Sequence, residues 1–287
     1  MVNFVYEGKK LGHYQVGQII SHGYQGQVYE VVDTTVRTSN RLVIKISEDS
    51  EELEAEVKAL QEINSSKKIQ QDKYGVPPIV KQGTQGNFAY YITQRYEQTL
   101  QEFLDQFSRP NNYTIFEILI QLVKIIEDVH NARYTYNDIK PDNIMLSTSE
   151  EGEIRISLID FGFAKKYKED GLHVSKNQKR DVFQGNLLFA SPNHLNFNET
   201  SRKDDLYALM YLMFFMFNDG LLPDFQHFGQ EVMEQLQGYE MMSKYKEMYT
   251  LTKMIELIDL DPIIKNKLYD VVSYVEKLKF SSRPAYS

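Results

Sequence analysis

Cysteine and tryptophan are both missing from the 287 residues, proline occurs only eight times, and the longest apolar run, Leu206 to Phe217, has twelve residues. Without cysteine there are no disulfides, no thiolate nucleophile and no zinc site that needs sulfur. The six histidines are scattered, and no two have the i, i+4 spacing that would place paired imidazoles on one helix face, so a protein-ligated transition metal is not expected. The twelve-residue apolar run would cover roughly 18 Å as a helix, well short of a hydrocarbon core of about 30 Å, and reads as a buried core helix. The opening MVNFVYEGKKLGHY has no apolar stretch of signal-peptide length, so an intracellular chain, cytoplasmic or nuclear, is expected. Positive charge is also in deficit. The 32 Lys and Arg against 40 Asp and Glu give a net charge of −8, which disfavours nucleic acid and anionic membrane as partners unless a local basic patch escapes the average. Aromatic residues are plentiful instead, with 20 Tyr and 16 Phe, and the length suits one large domain or two modest ones with a packed core.

The first ninety or so residues read as β-rich. Gln15 to Ser21 and Gln27 to Val32 flank a glycine-containing turn, and Arg41 to Ile46 alternates as a strand does. Between Ser50 and Asn64 the pattern turns helical: Leu53, Val57, Leu60 and Ile63 recur at spacings of three and four, with acidic residues in the first turn. GVPPIV and NFAYYITQ predict two further strands. From Thr114 to His130 an apolar stripe of Ile115, Ile118, Leu119, Leu122, Ile125, Ile126 and Val129 predicts a core-facing helix. IRISLIDF is β-like, Lys165 to Gly185 is a long polar loop of the kind that is usually functional, and helices dominate from Lys203 to Lys279. The expected class is α+β: a small β-rich lobe with one main helix (1–95), a hinge near Gln94 to Glu97, and a larger helical lobe (96–287).

Chemistry concentrates in Tyr136-Asn137-Asp138-Ile139-Lys140-Pro141-Asp142-Asn143, which sets an acid, a base and an amide in a short stretch after a buried helix, with Asp160-Phe161-Gly162 following. Phosphoryl transfer needs such a kit: an acid to orient a hydroxyl, a cation on the moving phosphate, and oxygen ligands for Mg²⁺. Upstream, Ile20-Ser21-His22-Gly23-Tyr24-Gln25-Gly26-Gln27-Val28 has the glycines that let backbone approach phosphate, and Lys45 ends Leu42-Val43-Ile44-Lys45. Taken singly, each has a plain alternative: a solvated loop, a hairpin turn, an edge-strand charge. In this order they resemble the protein kinase signature set, whose phosphoryl-transfer chemistry is a worked general case.

Gly75-Val76-Pro77-Pro78-Ile79, Ile159-Asp160-Phe161-Gly162-Phe163-Ala164-Lys165-Lys166-Tyr167, Ala190-Ser191-Pro192-Asn193, Ser201-Arg202-Lys203-Asp204-Asp205-Leu206 and Arg283-Pro284-Ala285-Tyr286 are similar to segments of the casein kinase 1 group. The likeness runs from about Tyr14 to the last residue and implies a single kinase domain over 14–287. It also implies Mg-ATP as the nucleotide, protein Ser or Thr hydroxyls as acceptors, and a monomer. By that resemblance Asp138 accepts or orients the nucleophile's proton and Lys140 neutralises the γ-phosphate, while Asn143 and Asp160 hold magnesium. Ile20, Ser21, Gly23, Gly26, Val28 and Lys45 face the nucleotide, and Glu56 pairs with Lys45, Glu54 being the alternative. Thr93 is the gatekeeper, Gln94 and Tyr96 belong to the adenine hinge, and Asp205 supports the catalytic loop.

Besides Tyr136, which stands for the packing and hydrogen-bonding histidine of the family's H-R-D triplet, three positions depart from the family pattern. Ser21 replaces the first glycine, Asn137 stands where an arginine would meet a phosphorylated activation segment, and Asn186 stands where a threonine would bond the catalytic Asp and Lys. The second implies activity independent of phosphorylation in that segment; all three leave open a nucleotide-binding scaffold of weak or absent turnover. Lys165, Lys166, Lys168, Lys176, Lys179 and Arg180 outnumber Glu169 and Asp170 in the long loop, and the resemblance implies a preference there for acidic or phosphorylated protein substrates.

Overall fold

The computed structural model describes residues 6–23, 25–36, 41–66, 74–107, 109–149, 151–169, 171–176, 178–232 and 238–287; Tyr24 and Asp170 lie outside them. The N-terminal part builds strands β1 (Lys10–Leu11), β2 (Tyr14–Gly23), β3 (Gly26–Asp33) and β4 (Leu42–Ser47), helix α1 (Ser50–Ser66), and strands β5 (Ile79–Gln85) and β6 (Phe88–Gln94). The six strands form one antiparallel sheet in the order β1-β2-β3-β4-β6-β5. Register shifts between Val16 and Ser21 in the β2–β3 pair mark the irregularity that increases twist and curls such a sheet.

The sheet is covered unequally. On one face Tyr14, Val16, Tyr29, Val31, Ile44, Ile46, Phe88, Tyr90 and Ile92 form a small aromatic core with Tyr6 and Leu11. On the other, Ala89 and Tyr91 of β6 join Leu53, Val57, Leu60 and Ile63 of α1. That α1 cluster is continuous with the core of the helical body, so α1 links the two lobes. β6 lies between both clusters, which is why FAYYIT is buried on each side of the pleat although β6 pairs antiparallel with both neighbours.

After β6 the chain runs through β7 (Gln98–Thr99), α2 (Leu100–Gln106), α3 (Asn112–Asn131), β8 (Tyr134–Thr135), a 3₁₀ turn at Pro141–Asn143, β9 (Ile144–Thr148), β10 (Ile154–Leu158), and the short strands β11 (Lys165–Lys166), β12 (Lys168–Glu169) and β13 (Leu172–His173). Then follow α4 (Pro192–Leu195), α5 (Arg202–Phe217), α6 (Phe225–Val232), α7 (Gly238–Met248), α8 (Leu251–Leu257) and α9 (Pro262–Lys277). A curled antiparallel sheet joined to a helical body is the two-lobed α+β architecture that the sequence resemblance implies.

The apolar stripe of α3 is buried against α5 and β10, and α5 is apolar almost all round because it is enclosed almost all round. No helix among the described residues is long and apolar enough to cross a membrane.

Three element boundaries differ from expectation. GVPPIV becomes a strand only at Ile79, because Pro77 and Pro78 have no N–H for a ladder; their carbonyls instead accept from the Asn64 amide and the Thr93 hydroxyl. IRISLIDF stops pairing at Leu158, since Asp160 takes a positive φ of 59° that no strand allows. β9, which the sequence reading leaves out, follows immediately on Asn143 and pairs with β10. The polar loop also carries the small β12–β13 ladder.

A buried cation holds the helical body to the segment before α4. Lys246 of α7 is 3% exposed, and its Nζ donates to the carbonyls of Leu187, Leu188 and Ala190 while lying 4.1 Å from the Tyr211 ring centroid. Burial drives its pKa well below the ordinary lysine value, so these three acceptors are what make the site tolerable. Lys246→Met keeps the volume but strands the carbonyls. Its expected cost is about 2 kcal/mol of unfolding free energy in urea titration, and an unchanged midpoint would remove Lys246 from this role.

Candidate active site

Lys45 lies on β4, with its side chain turned toward α1 and largely removed from water. Its Nζ is 2.8 Å from Glu56 Oε2 and 2.9 Å from Asp160 Oδ1. Burial opposes the ammonium, but Glu56 and Asp160 outweigh it and hold the Lys45 pKa above the ordinary lysine value. Glu56 is fixed in turn: its Oε1 accepts the Tyr91 hydroxyl at 2.9 Å and the Phe161 N–H at 3.2 Å. Glu54, the alternative, points to solvent. The helical period explains the difference, since Glu56 lies on the buried α1 face beside Val57 and Leu60.

The loop after α3 depends on Asp205. Its Oδ2 accepts the Tyr136 N–H at 2.8 Å and its Oδ1 the Asn137 N–H at 2.9 Å. His130 Nε2 adds a third bond to Oδ2 at 2.8 Å, and Tyr286 OH meets His130 Nδ1. Burial lowers the His130 pKa, so the neutral ring donates to Asp205 and accepts from Tyr286. Asp204, not Asp205, serves as the helix-capping acid by accepting the Ser201 N–H at 2.7 Å. Tyr136 packs edge-on to Phe161 at 5.1 Å and bonds the Ile159 carbonyl, a packing and hydrogen-bonding role. Asn137, at φ 70°, turns its amide inward to Thr135 Oγ1 and the Phe163 carbonyl, tying the loop to the segment after Asp160.

Within this loop Lys140 Nζ lies 2.7 Å from Asp138 Oδ2, and Asn143 Nδ2 donates to that same oxygen at 2.7 Å and to the Asp138 carbonyl at 3.0 Å. Asp138 Oδ1 is buried without a hydrogen-bond partner. Burial raises the Asp138 pKa even though Lys140 and Asn143 favour its ionised form. Asp160 turns one oxygen to Lys45 and to the Gly162 N–H, and Lys45 holds its pKa below the ordinary value against the effect of burial. Its second oxygen and the Asn143 amide oxygen are the donors that suit a hard cation, which takes few protein ligands when phosphates complete its shell.

The glycine hairpin pairs Ser21 with Val28, His22 with Gln27 and Gly23 with Gly26; Ile20 and Ser21 are exposed on it. Gly26 is required by packing: at φ 133° a Cβ would stand 2.4 Å from the Ile46 carbonyl oxygen. The tip reaches across the cleft, because a Cβ on Gly162 would fall 1.8 Å from Gln25 Oε1. Thr93 is buried with its hydroxyl on the Pro78 carbonyl, Gln94 closes the β4–β6 ladder opposite Leu42, and Tyr96 is buried just beyond.

Beyond the site, the basic loop is less free than its composition suggests. Lys165 lies 2.5 Å and Arg180 3.4 Å from the two oxygens of Glu199, and Lys166 lies 2.8 Å from Glu62. Burial opposes ionisation of Glu199, yet its two cations keep its pKa below the usual value. Asn186 accepts the Leu188 N–H at 2.9 Å in a local turn and makes no bond to Asp138 or Lys140. Glu199, His130 and Lys246 escape sequence reasoning because their partners lie 19 to 156 residues away. If Glu56 is the lysine's partner, Glu56→Gln lowers unfolding free energy by about 2–3 kcal/mol, less than a fully broken buried pair because Asp160 remains. Glu54→Gln stays within about 0.5 kcal/mol. Equal effects in denaturant titrations would overturn the pairing.

A strand lysine paired to a helix glutamate, an acid loop held from below and an aspartate poised between them are parts of the kind that phosphoryl transfer needs. A family model described as protein kinase domain matches residues 14–287, and the chain belongs to the protein kinase family.

Proposed function

We propose that this protein kinase has casein kinase 1 character, transferring the γ-phosphoryl group of ATP to Ser or Thr hydroxyls of proteins, with lobes of 1–95 and 96–287 enclosing the nucleotide. The observation that carries the reading is the divided Asp138 carboxylate: Oδ2 is held by Lys140 and Asn143, and Oδ1 is buried and unpartnered. An acceptor oxygen left bare at that depth is costly unless a donor arrives, and a substrate hydroxyl is such a donor. Asp138 then orients the hydroxyl for in-line attack and takes its proton as the new P–O bond forms and the bond to the leaving diphosphate breaks. Lys140 lies beside Asp138 to offset charge on the moving phosphoryl group, and Lys45 is placed for the α- and β-phosphates. Asn143 and Asp160 would hold Mg²⁺, which when bound neutralises phosphate charge. Backbone groups from Gln94 to Tyr96 would meet adenine, below Thr93.

Substrate preference for acidic or phosphorylated segments rests on fewer residues than the composition offers. With Lys165, Lys166 and Arg180 neutralised internally, Lys168, Lys176 and Lys179 remain without carboxylate partners among the described residues. Lys179 Nζ donates to the Asn196 carbonyl at 2.8 Å.

Labelled ATP with Mg²⁺ and casein tests the reading. Wild-type protein labels Ser or Thr, Asp138→Asn and Asp160→Asn each lose about 10²–10⁴-fold in rate, and Lys176→Glu with Lys179→Glu removes a preference for acidic over neutral peptides. Transfer surviving both aspartate substitutions would refute the site, and nucleotide binding without transfer would identify the scaffold reading favoured by Asn186. The pH profile gives a second check. The base must be ionised, and burial raises its pKa, so activity falls as pH drops through a midpoint above the ordinary aspartate value. Lys140→Met removes a cation that favours the ionised form and moves the acid limb of kcat/KM upward; a limb that stays put would assign it to another group.

A further inference from the structure

A cavity of about 350 Å³ opens in the helical lobe beside His130, which bonds Asp205 through Nε2. It is lined by the end of α3 (His130, Asn131) with Arg133, by Tyr167, Lys168 and His173 around the β12–β13 ladder, by Arg202 at the start of α5, and by Arg283 and Tyr286. The volume admits on the order of ten waters, enough for a phosphoryl group and the atoms that carry it.

Its charge is one-sided. Arg133, Lys168, Arg202 and Arg283 line it, and none has a carboxylate within ion-pair distance among the described residues, whereas Lys45, Lys140, Lys165, Lys166 and Arg180 elsewhere all do. In a chain of net charge −8, four cations converge on a cavity that has no carboxylate among its described lining residues, and the repulsion between them is relieved when an anion binds. The second observation is independent. Arg202 places Nη1 on the Tyr167 hydroxyl at 3.1 Å and Nη2 on the Ser281 carbonyl at 2.8 Å, which fixes the guanidinium, yet its Nε is buried without an acceptor. A guanidinium N–H can only donate. His173 likewise uses Nδ1 on the Val174 carbonyl at 3.0 Å and leaves Nε2 buried and unpartnered.

We propose that this cavity is a second binding site, specific for a phosphoryl group, with Arg202 as its fixed donor and Arg133, Lys168 and Arg283 closing on the anion. Guanidinium forks match phosphate oxygens in geometry as well as charge. Of the three loop lysines without carboxylate partners among the described residues, Lys168 lines this cavity and Lys176 and Lys179 do not, and the site does not depend on turnover.

The shared chemistry has two sources, a free phosphate and a phosphorylated side chain, and calorimetric titration of the intact protein distinguishes them. With the nucleotide cleft filled by a non-hydrolysable ATP analogue and Mg²⁺, the probes are inorganic phosphate, a phosphoserine peptide and the same peptide unphosphorylated. Phosphate or the phosphopeptide binds at one site per chain and the unphosphorylated peptide does not. Arg133→Ala with Lys168→Ala weakens that binding at least tenfold, and Arg283→Ala weakens it less. Neither Arg133 nor Lys168 makes a side-chain hydrogen bond among the described residues, so circular dichroism stays native. Lys176→Ala with Lys179→Ala leaves the affinity unchanged. Binding of phosphate alone assigns a free anion, and binding of the phosphopeptide assigns a modified segment. No saturable binding by either probe, or binding that survives the Arg133 and Lys168 substitutions, overturns the proposal.

Discussion

Asp205 enters the protein as one of two adjacent acids at the start of the most apolar helix and is 1% exposed. A carboxylate at that depth is tolerable only with its lone pairs filled, and three N–H donors fill them, from His130 and from the backbone of Tyr136 and Asn137. The exchange works in both directions. Asn137 has a positive φ, and Tyr136 and Asn137 leave the short β8 strand with N–H groups that no ladder can satisfy. The shape of the loop bearing Asp138, Lys140 and Asn143 therefore rests on a charge supplied by a helix 68 residues away.

The same economy of charge recurs through the molecule. An acidic chain has carboxylates to spare, and in the cleft they are set against cations that would otherwise be isolated: Glu56 and Asp160 on Lys45, Asp138 on Lys140. Beyond the cleft Glu199 takes Lys165 and Arg180. Where carboxylates are withheld, at Lys246 and around the basic cavity, the balance is met differently. Lys246 has three carbonyls and an aromatic face, and Arg202 in the cavity has a hydroxyl and a carbonyl but no carboxylate among the described residues.

Periodicity made much of the framework legible. The α1 and α3 stripes turn inward as their spacing requires, and the twelve-residue apolar run is the central helix. Local motifs also placed Lys45, Asp138, Lys140, Asn143 and Asp160 in one cleft, because their order along the chain is the order in which the fold brings them together. Spacing could not choose between Glu54 and Glu56, since both lie on one helix and only tertiary packing sets which face is dry. It could not show that Gly26 answers to the Ile46 carbonyl, or that Lys165 and Arg180 are already paired. Those are contacts between residues far apart in sequence, and composition treats every loop lysine as free. Proline supplied the opposite error, since an apolar run reads as a strand until the missing N–H groups are considered.

Gly185 lies where the segment before α4 meets the loop after β8. At φ 127° it passes so near the catalytic loop that a Cβ would lie 2.6 Å from the Asn137 carbonyl oxygen and 3.2 Å from the His194 ring. There is no clearance at this point for one piece of backbone to slide over the other. The segment before α4 and the loop that carries Asp138 thus meet backbone to backbone, so neither can move toward the other here without a steric clash, and any side chain larger than a hydrogen atom at position 185 would force them apart.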